Sequence, residues 1–181
     1  MSTAKTINSV KWGIDPTHSE VAFKVKHLVI STVTGYFKKF EGQVQSEEED
    51  FSGAEVSFSA DISSIDTNQA DRDAHLKSPD FFNAEKFPQM KFTNGKLEKS
   101  GDAYNLEGDL TIKATTKPVS FSVDFGGVVV DGYGQTKAGF EIDGKISRKG
   151  FGLTWSAVTE AGSVVVGDEV RILANIQLVK Q

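Results

Sequence analysis

Apolar and polar residues alternate along most of this 181-residue chain, which is the pattern of β-strands that bury one face. The clearest run is residues 54–62, where apolar side chains at the even positions alternate with Glu, Ser, Ser and Asp. Similar runs, separated by turn residues, occupy residues 10–15, 19–30, 35–46, 104–113, 118–125, 138–146 and 170–178, and a further strand begins at residues 88–92 and is turned back at Gly101-Asp102. We predict eight or nine antiparallel strands, each with one apolar face.

The stretch of residues 63–92 interrupts this alternation and predicts a short helix. Asp66 is a suitable N-cap, and Gln69 three residues later can complete a capping box. Pro79 cannot continue a helix. We therefore expect a helix over residues 67–78, within a helical insert of about residues 67–82.

This many strands joined by short turns are expected to close into a barrel or to fold as a sandwich, because closure removes exposed sheet edges. Glycines within the alternating runs, at Gly42, Gly108, Gly139 and Gly144, suit the kinks and bulges that bend strands around a small barrel. In a sandwich the same glycines would only relieve crowding. We favour an all-β fold, an eight-stranded antiparallel β-barrel with one short helical insert.

The inward face of such a barrel is the candidate site. An eight-stranded barrel is either filled by its own side chains or holds one slender ligand. The chain has 13 Phe but only 3 Tyr and 2 Trp, which suits a hydrocarbon ligand and equally an ordinary Phe-rich core. Alternation selects as pore candidates Phe23, Val25, His27, Phe58, Ile62, Met90, Phe92, Leu106, Leu110, Phe121, Val123, Phe140 and Ile142.

The expected role of these residues is apolar contact. Burying a methylene group contributes about 0.8 kcal/mol before the ordering of the ligand is subtracted, so a long chain could bind without a charged anchor. His27 is the exception, because on an apolar face it would meet a ligand headgroup, a buried water or a hydrogen-bonding partner in the core.

The predicted helix carries the one cluster with catalytic residue types. Asp71 precedes His75 by four residues and Asp73 precedes Lys77 by four, the spacing of helical ion pairs. Asp71, Arg72 and His75 could act together as an acid/base group of a hydrolase or isomerase. No nucleophile or phosphate-loop motif accompanies them, so a solvated helix face is the simpler interpretation and no catalytic residue is assigned.

Other polar motifs indicate structure rather than chemistry. The three histidines, His18, His27 and His75, lack metal-ligand spacing, so no metal and no cofactor is expected. The acidic run at residues 47–50 indicates a solvated hairpin loop. Arg148, between a strand and a glycine-rich turn, is expected to tie down a loop through charge-assisted hydrogen bonds.

Composition limits the class of protein. The chain is 38% hydrophobic and 25% charged, as in soluble globular proteins, and we expect an N-terminal tail at residues 1–9 and one domain at residues 10–181. A net charge of -5 without a basic stripe disfavours nucleic acid and anionic lipid headgroups as partners, and no membrane span is expected. Cysteine is absent, which excludes disulfides and thiolate chemistry.

The N-terminal residues lack the apolar segment of a secretory signal. As the sequence stands, it predicts a cytoplasmic protein. A periplasmic or secreted protein whose signal had been removed would read the same way.

Together these stretches resemble one family, the YceI-like proteins, known as lipocalin-like polyisoprenoid-binding proteins. The matching residues run in order through nearly the whole chain: Trp12, Asp15, His18-Ser19, His27-Leu28, Gly35, Phe37, Gly42, Ser64-Ile65-Asp66-Thr67, Arg72-Asp73, His75-Leu76, Ser78, Asp80-Phe81-Phe82, Pro88, Met90, Phe92, Gly108 to Ile112, Lys117-Pro118-Val119, Arg148, Phe151-Gly152-Leu153 and Gly167 to Val170.

This resemblance implies a lipocalin-like, extended eight-stranded antiparallel β-barrel. It also implies a long apolar lipid, a polyisoprenoid or isoprenoid quinone, bound in the pore, a homodimer and no catalytic activity. A fatty acid or fatty amide is the alternative ligand, since a smooth apolar tube discriminates poorly among chains. A ligand-free barrel that acts through its surface is the remaining alternative. The lining residues themselves rest on alternation and not on the family pattern.

Overall fold

The fold is a closed antiparallel β-barrel with one short α-helix outside its wall. A computed structural model describes residues 9–155 and 165–181 of the chain. The strands are β1 Val10–Ile14, β2 Glu20–His27, β3 Ser31–Phe37, β4 Phe40–Ser46, β5 Ala54–Asp61, β6 Ile65–Asp66, β7 Gln89–Ser100, β8 Ala103–Ile112, β9 Thr115–Val130, β10 Thr136–Ser147 and β11 Val166–Lys180, and the helix α1 is Ala70–Lys77. In this described part, no helix has the length and apolar character needed to cross a bilayer.

The barrel closes through eight strands. The hydrogen-bonded order is β1, β4, β5, β7, β8, β9, β10 and β11, and β11 returns to β1. The first half of β11 pairs with β2 and its last residues pair with β1, so β1 and β2 together form one bent arm of a long hairpin. The strands β3 and β4 form the other arm in the same way. The predicted eight-stranded antiparallel barrel is confirmed.

Several strands extend beyond their predicted bounds, for example β9 to Val130, and two of the predictions also misplaced a turn. Residues 35–46 form the end of β3 and the whole of β4, with Lys38 and Lys39 at the bend between them. The strand predicted to run to Ile30 ends at His27, because Leu28 and Val29 adopt left-handed backbone angles, φ 53° and φ 67°, and form the turn into β3. Apolar residues continue through this turn, so alternation alone could not locate its start.

The predicted start of the helix was also wrong. It begins at Ala70 rather than residue 67, because the preceding residues use their side chains to make turns instead of a capping box. The Asp66 carboxylate accepts a hydrogen bond from the Asn68 backbone N–H at 2.8 Å, and Asn68 has φ 65°. Gln69 occupies the N-cap position without a side-chain capping bond. The helix ends at Lys77 with Ser78 as its C-cap, one residue short of the predicted end.

Glycines give the aromatic rings room inside the barrel. A Cβ atom at Gly108 would lie 2.5 Å from Cζ of Phe92, so this position has no space for a larger residue. Gly144 lies under Phe121 in the same way, whereas Gly139 coincides with a register shift between β9 and β10. The glycines therefore serve both ring packing and strand bending.

The barrel is filled by aromatic side chains at the end that carries the β4–β5 loop. Phe51, 1% exposed, lies with its ring centroid 5.0 Å from that of Trp12, 5.1 Å from Phe140 and 5.4 Å from Phe125. The hydroxyl of Tyr104 donates to the Asp50 carbonyl at 2.8 Å and so fixes the loop. We call Phe51 and these three rings the aromatic plug. The acidic residues 47–49 before it are exposed, as expected of a solvated loop.

Candidate functional site: two chambers in the barrel

The interior of the barrel holds two adjoining cavities. The small chamber, of about 120 Å³, lies toward the aromatic plug. The large chamber, of about 230 Å³, lies toward the helix and the β2–β3 turn. Val21, Met90 and Ile172 contribute to both walls, so the two chambers meet at these side chains. For scale, an apolar cavity of about 150 Å³ can admit a benzene-sized molecule.

The small chamber has an almost wholly apolar wall built by barrel strands. Gln43 and Ser57 are the polar residues in its lining. Strand alternation places the other side chains there, because every second residue of a barrel strand points inward. They are Ile14, Val21, Val44, Val56, Phe58, Met90, Phe92, Leu97, Leu106, Leu110, Phe121, Val123, Phe140, Ile142, Ile172, Ala174, Ile176 and Leu178.

The large chamber has a mixed wall. Strands β2, β3 and the first half of β11 form one side, and α1 with the segments around residues 81–82 and 146–155 forms the other. Its lining includes Lys26, His27, Arg72, His75 and Arg148 but no aspartate or glutamate among the described residues. The large chamber is therefore apolar with an excess of potentially cationic groups, whereas the small chamber carries no charge.

Arg148 is the most deeply buried of these cations, at 3% exposure. Its guanidinium donates to four backbone carbonyls: Nε to Gly167 at 2.7 Å, Nη1 to Leu153 and Trp155, each at 2.7 Å, and Nη2 to Val166 at 3.1 Å. Burial lowers the pKa of Arg148 below its ordinary value, because desolvation disfavours the charged form. These bonds join the segment after β10 to the start of β11, which confirms the loop-tying role predicted for this arginine.

Arg72 is held at the chamber wall by the turn before the helix. Its Nε donates to the Thr67 hydroxyl at 2.8 Å and its Nη2 to the Thr67 carbonyl at 2.7 Å. The Thr67 backbone N–H donates in turn to the Asp73 carboxylate at 2.8 Å. This chain of contacts uses one edge of the guanidinium and fixes the orientation of the group.

The predicted acid/base cluster is not assembled as expected. The imidazole Nε2 of His75 lies 2.9 Å from the carboxylate of Asp80, not against Asp71, and Asp73 binds Thr67 rather than Lys77. Asp80 follows the helix and turns back to it, so spacing within the helix did not reveal the pair. The His75 ring also packs edge-on against Phe81 and Trp155, each with a 5.0 Å centroid distance.

Of the thirteen predicted pore residues, twelve lie in the lining of one chamber or the other. Phe23, Val25 and His27 line the large chamber. Met90 lines both, and Phe58, Phe92, Leu106, Leu110, Phe121, Val123, Phe140 and Ile142 line the small one. Ile62 lines neither, because β5 ends at Asp61 and Ile62 begins a 3₁₀ turn that buries it in the core at 2% exposure.

Sequence reasoning missed most of the large chamber. Its further lining residues from the helix and loops are Leu76, Phe81, Phe82, Leu153 and Trp155. No strand alternation marks them. Ile172 and Ala174 of β11 also line the small chamber, and the alternating run at residues 170–178 is the signal that identifies them.

The comparisons with known proteins place the chain in a family. A family profile described as "YceI-like domain" matches residues 12–178. A Photorhabdus laumondii protein named UPF0312 protein plu2095 is 40% identical over 141 residues, which are 78% of this chain and 73% of the relative. Protein YceI of Salmonella newport is 37% identical over 164 residues, 91% of this chain and 83% of the relative.

Solved structures agree. The crystal structure of Burkholderia cenocepacia BcnA superposes with a TM-score of 0.74 at 25% identity, covering 91% of this chain and 98% of that one. A polyisoprenoid binding domain from Saccharophagus degradans has a TM-score of 0.64 at 12% identity, covering 94% and 98%, and shows the same fold. By its sequence and its barrel, this chain belongs to the YceI-like family.

Proposed function

We propose that this protein binds a long apolar lipid chain in its two chambers and carries or stores it without chemical change. The observation that carries the proposal is the pair of adjoining cavities, whose common wall at Val21, Met90 and Ile172 is apolar. Side chains that filled the barrel completely would leave no such space. A polyisoprenoid or isoprenoid quinone is the favoured ligand, and the name of the Saccharophagus degradans structural neighbour supports this choice.

The difference between the chambers gives the ligand a direction. An apolar tail is favoured in the small chamber, where a charged group would lose its hydration without a partner. The polar end is favoured in the large chamber, where Arg72, His75 and Arg148 line the wall. Charge-assisted hydrogen bonds from Arg72 would then hold an anionic or carbonyl-bearing headgroup.

The first experiment is mass spectrometry of an organic extract from protein purified under native conditions, beside a denatured and refolded control. One polyprenyl or quinone species per chain supports the proposal. A fatty acid or fatty amide would replace the proposed ligand by the alternative one in the same pore. An empty barrel whose thermal stability does not change with added isoprenoid would overturn the proposal.

The orientation is tested with two ligands that share one tail, a polyprenyl phosphate and the corresponding polyprenol. Arg72→Met is expected to weaken the phosphate by about tenfold and the alcohol by much less, because only the phosphate forms a charge-assisted bond. A purely structural role of Arg72 beside Thr67 would weaken both ligands equally and contradict the orientation. Lys77→Met, on the same helix but outside the described lining, is the matched control.

The chemical fate of the ligand distinguishes the carrier from the alternative function as a hydrolase or isomerase. The His75–Asp80 pair is the observation that keeps this alternative testable, because a carboxylate can orient an imidazole for proton transfer. A carrier returns its ligand unchanged, with or without His75→Ala. Product formation that His75→Ala and Asp80→Asn both abolish, in folded protein, would establish catalysis instead.

A further inference from the structure

We propose that the turn between β2 and β3 docks onto an anionic lipid bilayer and brings the adjoining end of the large chamber close to that surface. The turn consists of residues 28–30, which we call the apolar tip. Val29 is 69% exposed and Ile30 86% exposed, although both are large aliphatic residues. Two adjacent aliphatic side chains that project into water gain free energy when they enter the acyl boundary of a membrane.

The apolar tip has an unusual backbone conformation that hydrogen bonds hold in place. Leu28 and Val29 have φ 53° and φ 67°, and a β-branched residue such as Val29 is strained in this left-handed region. Hydrogen bonds hold the turn in place: the Leu28 N–H donates to the Val165 carbonyl at 2.9 Å, and the Ser31 hydroxyl donates to the His27 carbonyl at 3.2 Å. Strain of this kind persists only where the surroundings hold it, and it concentrates at functional surfaces.

The charge of the hairpin fits an anionic surface. The chain as a whole carries -5, which disfavours such a surface, but from Val21 to Phe37 the hairpin contains two lysines and no aspartate or glutamate. Lys24 and Lys26 on β2 are exposed, and their cross-strand neighbours on β3 are the neutral Thr34 and Thr32. Basic residues beside an inserted apolar tip attract anionic lipids over a distance of about one Debye length.

The position of the apolar tip connects docking with the chambers. Val25 and His27 on β2 and Val33 on β3 line the large chamber on either side of the turn. A bilayer in contact with the tip would therefore lie beside this chamber, and a lipid could pass between the two with little exposure to water. Docking itself is independent of the proposed ligand, since it depends on the outside of the hairpin.

A second exposed hairpin supplies an internal control. The β9–β10 turn exposes Val129 to 64% and Tyr133 to 94%, but it lies at the opposite end of the barrel, where Lys137 pairs in register with Val179. Asp131 in this turn accepts hydrogen bonds from the turn backbone and pairs with Lys137 at 3.2 Å. This turn has no lysine or arginine of its own, and its one carboxylate is paired with Lys137, so it has no excess of positive charge to attract an anionic surface.

The experiment is co-sedimentation of the full chain with vesicles of phosphatidylcholine containing phosphatidylglycerol, and with phosphatidylcholine vesicles alone. The double variant Val29→Asn with Ile30→Ser is expected to bind the anionic vesicles on the order of tenfold more weakly, whereas Val129→Ser with Tyr133→Ser should bind within about twofold of the unchanged protein. Lys24→Gln, at an exposed position of β2 outside the chamber lining, should reduce binding to the anionic vesicles and leave binding to phosphatidylcholine vesicles unchanged, and raised salt should act in the same direction.

Folding is checked separately. Asn occupies left-handed backbone angles more readily than Val, so Val29→Asn alone should raise the thermal unfolding midpoint while it weakens vesicle binding. Equal vesicle binding by the tip variant and the unchanged protein would overturn the proposal. A tip variant that loses only self-association, measured by light scattering, would likewise overturn it and assign the tip to a dimer interface. Because vesicles and extracted ligand are measured separately, failure of docking leaves the carrier function intact.

Discussion

The two chambers differ in how their walls are built. Strands of one continuous barrel enclose the small chamber, and its polar lining residues are Gln43 and Ser57. The large chamber borrows part of its wall from a helix and loops that lie outside the barrel, and these bring Arg72, His75 and Arg148 to an otherwise apolar surface. Strands thus provide apolar volume, while the added segments provide charge and direction.

The side chains of the two chambers are also stabilised by different interactions. A buried side chain of the small chamber is stabilised by dispersion and by removal from water, which depend on shape and area. The cations of the large chamber depend on specific donors and acceptors, and each unsatisfied group is costly. In the small chamber, the effect of a substitution on the free energy of unfolding should therefore depend on the polarity and volume of the new side chain. In the large chamber, it should depend on which hydrogen bonds are lost.

The largest effect is expected from a charge in the small chamber. Leu110, 3% exposed, faces inward, and Leu110→Glu would bury a carboxylate without a partner. We expect loss of retained lipid and a decrease of roughly 4 kcal/mol in the free energy of unfolding, measured by urea denaturation. Thr111→Glu, on the outer face of the same strand, should change that free energy by less than about 1 kcal/mol. A folded Leu110→Glu protein with its lipid content intact would disprove the assigned lining.

A smaller decrease in the free energy of unfolding is expected when Arg148, the buried cation in the wall of the large chamber, is replaced. Arg148→Met removes the guanidinium donors to the carbonyls of Leu153, Trp155, Val166 and Gly167. Leaving buried acceptors unpaired should lower the free energy of unfolding by about 3 kcal/mol.

The control for this substitution is another arginine. Arg171→Met removes an exposed ion pair with Asp143 and should cost less than about 1 kcal/mol in the same urea titration. Equal losses for Arg148→Met and Arg171→Met would mean that burial of the guanidinium has no special role in the wall of the large chamber.

The smallest effect is expected at the bend between β1 and β2, where the hairpin passes from the small chamber to the large one. Hydrogen bonds from the Thr17 hydroxyl and from His18 lower the pKa of Asp15 from 3.8 to about 2. A carboxyl group that is more acidic in the folded state stabilises that state above pH 4, and this contribution is lost as the pH falls toward 2.

The measurement is the difference in the free energy of unfolding between the unchanged protein and Asp15→Asn. It should be about 1 to 2 kcal/mol at pH 6 and should shrink as the pH approaches the folded-state pKa. A difference that stays constant over this pH range would show that the Asp15 contacts do not act through the ionisation of its carboxyl group.

The small chamber could be predicted from the sequence because it follows a two-residue period. Phe121 and Val123, or Leu106 and Leu110, lie inward wherever their strands run regularly. Ile62 was predicted to line the pore but does not, because the strand ends one residue before it, at Asp61, and the chain turns. Periodicity gives the face of a residue but not the position at which a strand stops.

The large chamber could not be predicted in the same way, because it depends on contacts between segments that are distant in sequence or irregular. Arg148 was expected to tie down a loop, but its carbonyl acceptors lie on both sides of a long connection. His75 was paired with Asp71 by helical spacing, whereas the chain turns after Pro79 and supplies Asp80. Sequence spacing predicts contacts within one helix or strand. The polar contacts around the large chamber join different segments, so spacing does not reveal them.

The aromatic plug sets a length scale for whatever occupies the barrel. A chain that extended along the small chamber toward this end would reach the ring of Phe140, which packs against Phe51 with a centroid distance of 5.1 Å. The interior therefore has a fixed depth, and a longer tail has to fold back or leave its remainder outside. By packing behind Phe140, Phe51 and its short surface loop would limit the length of chain that the barrel could take up.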